Sequence, residues 1–176
     1  MSETTRWRLV VQERVGLRRS WLLVWYRDER RLFDSRWVAL DLVTERGARW
    51  LAQVVRRAIE AGVYAPPSRA GNAWTHRAPI AWRPLGGPGD DCACDRGAYI
   101  AHVEHVAGSS ERGGGYHLDV TCNPPSPSGF TRLHSRELGS DIAIRSSGAA
   151  RFLAELVIDL GEAGQPVPHI AGLLEA

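Results

Sequence analysis

Arginine and aromatic side chains alternate along the first two stretches of the chain that have strand periodicity, and such side chains can hold a nucleic acid. In the first stretch Arg8 and Arg14 fall on one face, while Trp7 falls on the other. Aromatic rings stack on bases for about 1–3 kcal/mol each, and Arg releases counterions from phosphates. The candidate phosphate contacts are Arg6, Arg8, Arg14, Arg18, Arg19 and Arg27, and the candidate stacking residues are Trp21, Trp25 and Tyr26. We therefore predict a nucleic-acid-binding protein that prefers single-stranded DNA or RNA and has low sequence specificity.

The same residues admit two other interpretations. Trp side chains in strands are also typical of a core or of a protein interface. The main alternative is a regulatory or assembly module that binds a protein partner, or self-associates, through the Trp-bearing sheet and oppositely charged helices. The third interpretation is a small-molecule-binding or enzymatic fold with a pocket between two sheets.

The charge of the chain is unevenly distributed. Residues 1–70 contain 14 Arg and 8 acidic residues, a net charge of +6, whereas residues 71–176 contain 8 Arg and 12 acidic residues, a net charge of −4. The polar positions of two predicted helices follow the same division, because the first carries Arg and the second carries Asp and Glu. These positions are Arg46, Arg49, Arg56 and Arg57 in the first helix, and Glu155, Asp159 and Glu162 in the second. The division favours either a phosphate track on the first half or paired helices in an oligomer.

Cys and His residues lie close together in the middle of the chain. Cys92 and Cys94 precede His102 and His105, but the spacing differs from that of common zinc modules, and the two His point to opposite faces of a predicted strand. Cys92 and Cys94, two positions apart, are also poorly placed to form a disulfide with each other, so we expect reduced thiols. We predict no metal site.

No sequence motif of a known catalytic centre is present. The chain lacks a phosphate-binding Gly-Lys-Ser/Thr loop, a dinucleotide-binding Gly pattern, a nucleophile elbow and an HExxH zinc motif. His102 shares a strand face with Glu104, and His117 with Asp119, which is usual for polar surface pairs. We therefore predict a protein that is not an enzyme and carries no cofactor.

An internal repeat organises the chain. Residues 48–62 align without a gap on residues 150–164, with eight identities in 15 positions. Both segments have apolar residues at helical spacing and end at a Gly suited to a helix C-terminus. Short runs of strand periodicity precede each helix, so the repeated unit is larger than the helix alone.

These patterns predict an α+β fold built from two tandem repeats, each of about four antiparallel strands followed by one helix, related by an internal pseudo-twofold axis. The first repeat covers residues 1–64, a connector rich in Pro and Gly covers residues 65–97, and the second repeat with a short C-terminal tail covers residues 98–176. The predicted strands are residues 7–15, 21–27, 30–33 and 37–43, then 99–106, 116–122, 130–135 and 141–145.

Two successive units of four strands and a helix resemble the Whirly family of single-stranded-DNA-binding proteins, over most of residues 6–164. The resemblance implies two sheets packed at an angle and supported by the helices, oligomerisation through the helices, and nucleic acid along the sheet edges. It is architectural, because this chain contains no Lys and so lacks the family's lysine-bearing strand motif.

Length and composition are consistent with an ordinary globular protein. The 176 residues are 44% hydrophobic and 24% charged, and no apolar run approaches the roughly 18 residues that would span a bilayer. The first residues also lack the pattern of a secretory signal. We therefore expect a cytoplasmic protein without a membrane partner.

Overall fold

The computed structural model describes residues 7–16, 19–35, 40–65, 75–76, 80–87, 89–106 and 115–173. Within these ranges the chain forms two five-stranded antiparallel sheets, a two-stranded ribbon and three α-helices. The α+β class predicted from the sequence is therefore confirmed.

The first sheet combines the strands of the first half with one strand from the second half. Its members are β1 (Trp7–Arg14), β2 (Ser20–Arg27), β3 (Arg30–Asp34), β4 (Leu40–Leu42) and β12 (Ile142–Ile144). The order is β1-β2-β4-β12, and β3 also pairs with β2. Asp28 and Glu29, with φ values of 47° and 66°, form the two-residue turn between β2 and β3 that matches the twist of a hairpin. β2 thus has strands on both sides.

The second sheet contains a strand that the sequence patterns did not reveal. Its members are β7 (Arg83–Pro84), β8 (Cys92–Arg96), β9 (Tyr99–Val106), β10 (Gly115–Cys122) and β11 (Arg132–His134), in the order β11-β10-β9-β8-β7. β8 lies in the segment predicted to be an irregular connector, but it pairs with β9 over its whole length. Gly97, with a φ of 58°, supplies the turn between them. Residues 92–96 of the predicted connector thus belong to the second sheet.

Two helices of equal length each follow a three-residue strand. α1 (Glu45–Glu60) follows β4, and α3 (Ser147–Glu162) follows β12, whereas α2 (Ser135–Leu138) is a single turn after β11. The hydroxyls of Thr44 and Ser146 cap α1 and α3 by accepting hydrogen bonds from the third helical amide at 3.1 and 3.0 Å. In the described part of the chain, no helix is both long enough and apolar enough to cross a bilayer.

α3 is the central helix of the core. It packs on β9, β10 and α1, while α1 packs on β1 and β2. A helix that is apolar on most of its circumference is buried on most of its circumference. Its buried apolar residues are Ala149, Ala150, Phe152, Leu153, Ala154, Leu156, Val157, Ile158 and Leu160. The apolar surface of α3 is therefore buried against other elements of the same chain.

A strand pair and a buried carboxylate are among the described contacts that join the halves of the chain. β4 pairs with β12 in antiparallel register, with Leu40 opposite Ile144 and Asp41 opposite Ala143. The buried carboxylate of Asp141, at the start of β12, lies against the first turn of α1. β12, from the second half of the chain, thus belongs to the first sheet.

The C-terminal tail docks on its own chain. The indole Nε1 of Trp50 in α1 donates a hydrogen bond to the carbonyl of Pro168 at 2.7 Å. The hydroxyl of Ser128 donates to the carbonyl of Gln165 at 3.2 Å. A 3-10 turn, Ile170–Gly172, then places the buried side chain of Ile170 against α1 and α2. The two-stranded ribbon, β5 (Tyr64–Ala65) with β6 (Thr75–His76), follows α1.

Candidate nucleic-acid interface

The register of β1 and β2 sorts the predicted binding residues onto two faces. Arg8 lies opposite Tyr26, and Arg14 lies opposite Ser20, on the face of the sheet that is turned away from the core. Trp25 lies opposite Leu9, and Trp21 lies opposite Glu13, on the other face. We call the first of these faces the outer face of the first sheet. It carries Arg8, Val10, Gln12 and Arg14 on β1, and Leu22, the fully buried Val24 and Tyr26 on β2.

Arg8 and Tyr26 lie side by side near one end of the outer face. The guanidinium carbon of Arg8 lies 4.5 Å from the centroid of the Tyr26 ring, a cation–π contact. Nη2 of Arg8 also donates to Oε2 of Glu29 at 2.9 Å, and Gln12 Nε2 donates to the Tyr26 hydroxyl at 3.2 Å. The Arg8 and Glu29 side chains are 51% and 84% exposed, so their ion pair contributes about 0–1 kcal/mol. A phosphate group can displace Glu29 at little cost.

The remaining predicted phosphate contacts differ in their surroundings. Arg14 is exposed at the end of β1 and makes no ion pair with a residue that the structure describes. The Arg19 side chain is 89% exposed, with Nε 3.3 Å from Oε1 of Glu13. Arg27 is half-buried opposite Trp7, on the side of the sheet that faces α1. Arg6 and Arg18 lie outside the described residues.

The Trp residues predicted to stack on bases lie on the core side. Trp25 is 1% exposed, and its ring stacks on that of Trp7 with 4.8 Å between centroids. Trp21 is half-buried and packs against the core cluster. Within the described residues of the outer face, Tyr26 is therefore the aromatic ring that a base can reach. The alternation of each strand already separates Trp25 from Tyr26, which is the signal that distinguishes the two roles.

The charged helix positions are engaged within the chain. Among the α1 residues, Arg46 pairs with Asp141, Arg49 with Glu45, and Arg57 donates to the carbonyl of Pro166, whereas Arg56 is exposed. Among the α3 residues, Glu155 accepts from Trp82 Nε1 at 2.7 Å, and Glu162 pairs with Arg96 at 2.8 Å. Asp159 is buried, with Arg96 3.9 Å away. Most of these charged side chains therefore contact other groups of the same chain.

The second sheet separates the Cys residues from His102. Cys92 and Cys94 are buried on the core side, whereas His102 is exposed on the opposite side. Burial raises the pKa of Cys94 to about 11, which keeps this thiol protonated at neutral pH. No three His, Cys, Asp or Glu side chains come close enough to hold a metal ion, as far as the structure describes the chain.

The open side of the second sheet carries a polar cluster that sequence analysis described only in part. Asp119 shares this side with His117 as predicted, but its partner is Arg132 on β11, which donates from Nε and Nη2 at 2.9 and 2.8 Å. These hydrogen bonds hold the pKa of Asp119 below its ordinary value. The ring centroids of His117 and His134 lie 6.0 Å apart. Pairing between strands is required to see these contacts, because β10 and β11 are separated by a long loop.

Comparisons of the chain with protein-family models, with curated proteins and with solved structures each found no match.

Proposed function

We propose that this protein binds single-stranded nucleic acid, with low sequence specificity and without catalysis, along the outer face of the first sheet. The observation that carries the proposal is the position of Arg8 over the ring of Tyr26, 4.5 Å from its centroid. This pair offers a guanidinium fork to a phosphate and an aromatic ring to the neighbouring base. Its only competing anion among the described residues is the exposed carboxylate of Glu29.

The outer face extends beyond this pair along β1. Arg14 lies six positions after Arg8 on the same strand face, which corresponds to about 20 Å at the usual rise of a strand. A span of this length covers several nucleotides, and exposed Arg19 lies at the same end as Arg14. Three further candidate phosphate contacts stay predictions from the sequence: Arg27, which lies on the core side of the sheet, and Arg6 and Arg18, which lie outside the described residues.

The composition of the face favours phosphate contacts over base readout. Tyr26 offers one ring, whereas Trp21 and Trp25 support the face from the core side. Phosphate contacts carry little sequence information and release counterions, so the affinity depends strongly on salt. We therefore expect binding that is tolerant of sequence and sensitive to ionic strength.

We also infer that the two halves are a tandem repeat related by a pseudo-twofold axis. The supporting observations are the alignment of residues 48–62 with 150–164, the equal helices α1 and α3 with equivalent hydroxyl caps, and the pairing of β4 with β12. Asp41 lies opposite Ala143, its counterpart in the alignment, so an axis would pass between them. In this arrangement the first half carries the basic face and the second half does not.

The free thiols support an intracellular site of action. Cys92, Cys94 and Cys122 are all buried and unbridged. Proteins of oxidising compartments usually convert such cysteines to disulfides. We infer that the protein acts in the cytoplasm.

Fluorescence anisotropy with labelled oligonucleotides tests the binding proposal. Single-stranded and double-stranded probes are titrated at about 50 and 200 mM salt, where binding through several phosphates loses orders of magnitude in affinity. The variant Arg8→Ala/Arg14→Ala should bind more weakly and reduce the slope of log affinity against log salt by about 1 per Arg removed. The control Arg49→Ala/Arg56→Ala removes the same charge from exposed positions of α1.

The outcomes are distinct. Weaker binding in the β1 variant, with near-normal binding in the α1 variant, supports the outer face as the interface. Equal losses in both variants mean that only the overall charge matters, and the assignment to β1 fails. Absence of binding to every probe at the lower salt concentration overturns the function itself.

A second candidate function rests on the edge of the first sheet. β1 is eight residues long and, among the described residues, pairs only with β2. A long strand edge is a template for pairing with another chain, which suits self-association or capture of an extended partner segment. Concentration-dependent oligomers in analytical ultracentrifugation, together with absence of nucleic-acid binding, would favour this assembly module.

A further inference from the structure

A cavity of about 350 Å³ lies where the two sheets meet. Its walls come from the start of β10, from α2 and from β12. β10 and β12 run beside each other there, but they belong to different sheets and share no ladder. The cavity therefore lies at the junction of the two sheets, where β10 and β12 approach each other without forming a ladder.

The strand edges turn backbone polar groups towards this cavity. The amide of Val43 donates to the carbonyl of Asp141 at 2.9 Å, so the backbone of Asp141 points towards β4. Successive residues of an antiparallel ladder point their polar groups in opposite directions, so the N–H and C=O of Ile142 point away from β4. On β10 the amide of Leu118 donates to Ser135 Oγ at 3.1 Å, away from β9. Because alternate residues share a direction, the polar groups of Tyr116 also point away from β9.

The charged side chains that line the cavity are cationic. Arg136 and Arg145 line it together with His117 and the hydroxyl of Ser135, and no Asp or Glu is among its described lining residues. Nη2 of Arg145 donates a hydrogen bond to Oδ2 of Asp41 at 3.2 Å, which orients the guanidinium. Arg136 is exposed and forms no ion pair with a described residue. The site thus contains one oriented guanidinium and one that lacks a carboxylate partner.

We propose that this cavity binds a small organic phosphate monoester. Two guanidinium forks match the geometry of phosphate oxygens, and the Ser135 hydroxyl and backbone amides add donors. Val106 and Tyr116, which line the cavity and are half-buried, give it an apolar side for the body of the ester.

The dimensions favour a small molecule over a peptide strand. The volume is near the lower end of the roughly 300–1,000 Å³ typical of ligand pockets. The β12 edge is three residues long, about 10 Å, which is short for strand addition. This site is separate from the outer face of the first sheet, so it does not depend on nucleic-acid binding.

Titration of the full chain with phenyl phosphate tests the proposal. Calorimetry measures the affinity, and amide chemical shifts of the ¹⁵N-labelled protein locate the site. Phenol and benzoate are the comparison probes, because they keep the ring but replace the phosphate by a neutral group or a carboxylate. Arg136→Gln is the test variant, and Arg56→Gln, which removes an exposed charge from α1, is its matched control.

We expect phenyl phosphate to bind with a Kd in the millimolar range or below, and to shift the amides of Gly115, His117 and Gly139. Arg136→Gln should weaken binding by about tenfold or more, while Arg56→Gln leaves it unchanged. Benzoate should bind more weakly, and phenol weakest of all.

Four results would overturn the assignment. These are absence of phenyl phosphate binding, equal binding of benzoate or phenol, equal binding in Arg136→Gln, and shifts confined to β1 and β2. The last result would move the phosphate site to the outer face of the first sheet. Loss of oligonucleotide binding in the Arg8→Ala/Arg14→Ala variant, with phenyl phosphate binding retained, would show that the two sites are independent.

Discussion

Asp141, at the start of β12, and Arg46, in the first turn of α1, form a polar link between the two halves of the chain. Nε and Nη2 of Arg46 donate to Oδ2 of Asp141 at 3.1 and 2.7 Å. The other carboxylate oxygen accepts from the hydroxyl of Thr44, the N-cap of α1. A carboxylate near a helix N-terminus also interacts favourably with the helix dipole.

Replacing Asp141 should destabilise the protein. In Asp141→Ala the Thr44 hydroxyl and the Arg46 guanidinium lose their shared acceptor, and because Arg46 is partly exposed we expect a loss of about 1–3 kcal/mol. Urea unfolding measures the change. The control Glu45→Ala removes an exposed ion pair with Arg49 and should cost less than about 1 kcal/mol. Equal losses would mean that the link adds no more than a surface pair.

The same carboxylate should make stability sensitive to acid. Burial alone would raise the pKa of Asp141, but hydrogen bonds from Arg46 and Thr44 outweigh burial and lower it. A lowered folded-state pKa gives stability that is present above the unfolded value, about 3.9, and is lost as the pH falls towards the folded value. We therefore expect the free energy of unfolding to fall below about pH 4. In Asp141→Asn this fall should be smaller, and an unchanged pH profile would contradict the assignment.

Close contact between α3 and β9 predicts an effect at Gly161. A Cβ atom added there would lie 1.9 Å from the hydroxyl oxygen of Tyr99 and 2.7 Å from its ring. Gly161→Ala should therefore cost about 1–3 kcal/mol despite the higher helix propensity of Ala. Gly148→Ala, in the same helix, meets no atom closer than 3.7 Å and should not destabilise. Thermal unfolding compares the two variants, and a smaller cost of Gly161→Ala in the Tyr99→Leu background would confirm the contact.

Local patterns explain why much of the fold could be predicted. The hairpins of β1 with β2 and of β9 with β10 are formed by strands that are near in sequence and have clear alternation. The helices α1 and α3 have apolar spacing, hydroxyl caps and a following Gly. In each case the residues that determine the element lie within it or next to it, so the sequence alone indicates it.

Contacts between distant segments explain what the sequence did not reveal. β8 is an exception, because it pairs with β9 across a two-residue turn, and it was missed because it is short and follows a Pro- and Gly-rich stretch. β12 joins the first sheet because it pairs with β4, about 100 positions earlier in the chain. The cavity between β10 and β12 results from this long-range strand pairing, so no local sequence motif indicates it.

Burial of the cysteines predicts slow thiol chemistry. Burial raises the pKa of Cys94 to about 11 and also raises that of Cys92. Because the thiolate is the reactive form, we expect both to react slowly with Ellman's reagent at neutral pH in the folded protein. All three cysteines should react quickly in concentrated urea, which serves as the control. A fast-reacting thiol in the native protein, traced to Cys94 by its loss in Cys94→Ala, would contradict this burial.

Substitutions of two neighbouring aromatic residues of β2 should affect stability and nucleic-acid binding separately. Trp25→Phe removes part of a ring that is buried against Trp7, so we expect a loss of about 1–3 kcal/mol in stability and near-normal oligonucleotide affinity at a temperature where the variant is folded. Tyr26→Ala removes the ring of the outer face, so we expect a loss of about 1–3 kcal/mol in binding single-stranded probes. Urea unfolding and anisotropy measure the two quantities on the same samples. If Tyr26→Ala binds normally while Arg8→Ala does not, phosphate contacts alone hold the nucleic acid, and the stacking role of Tyr26 is wrong.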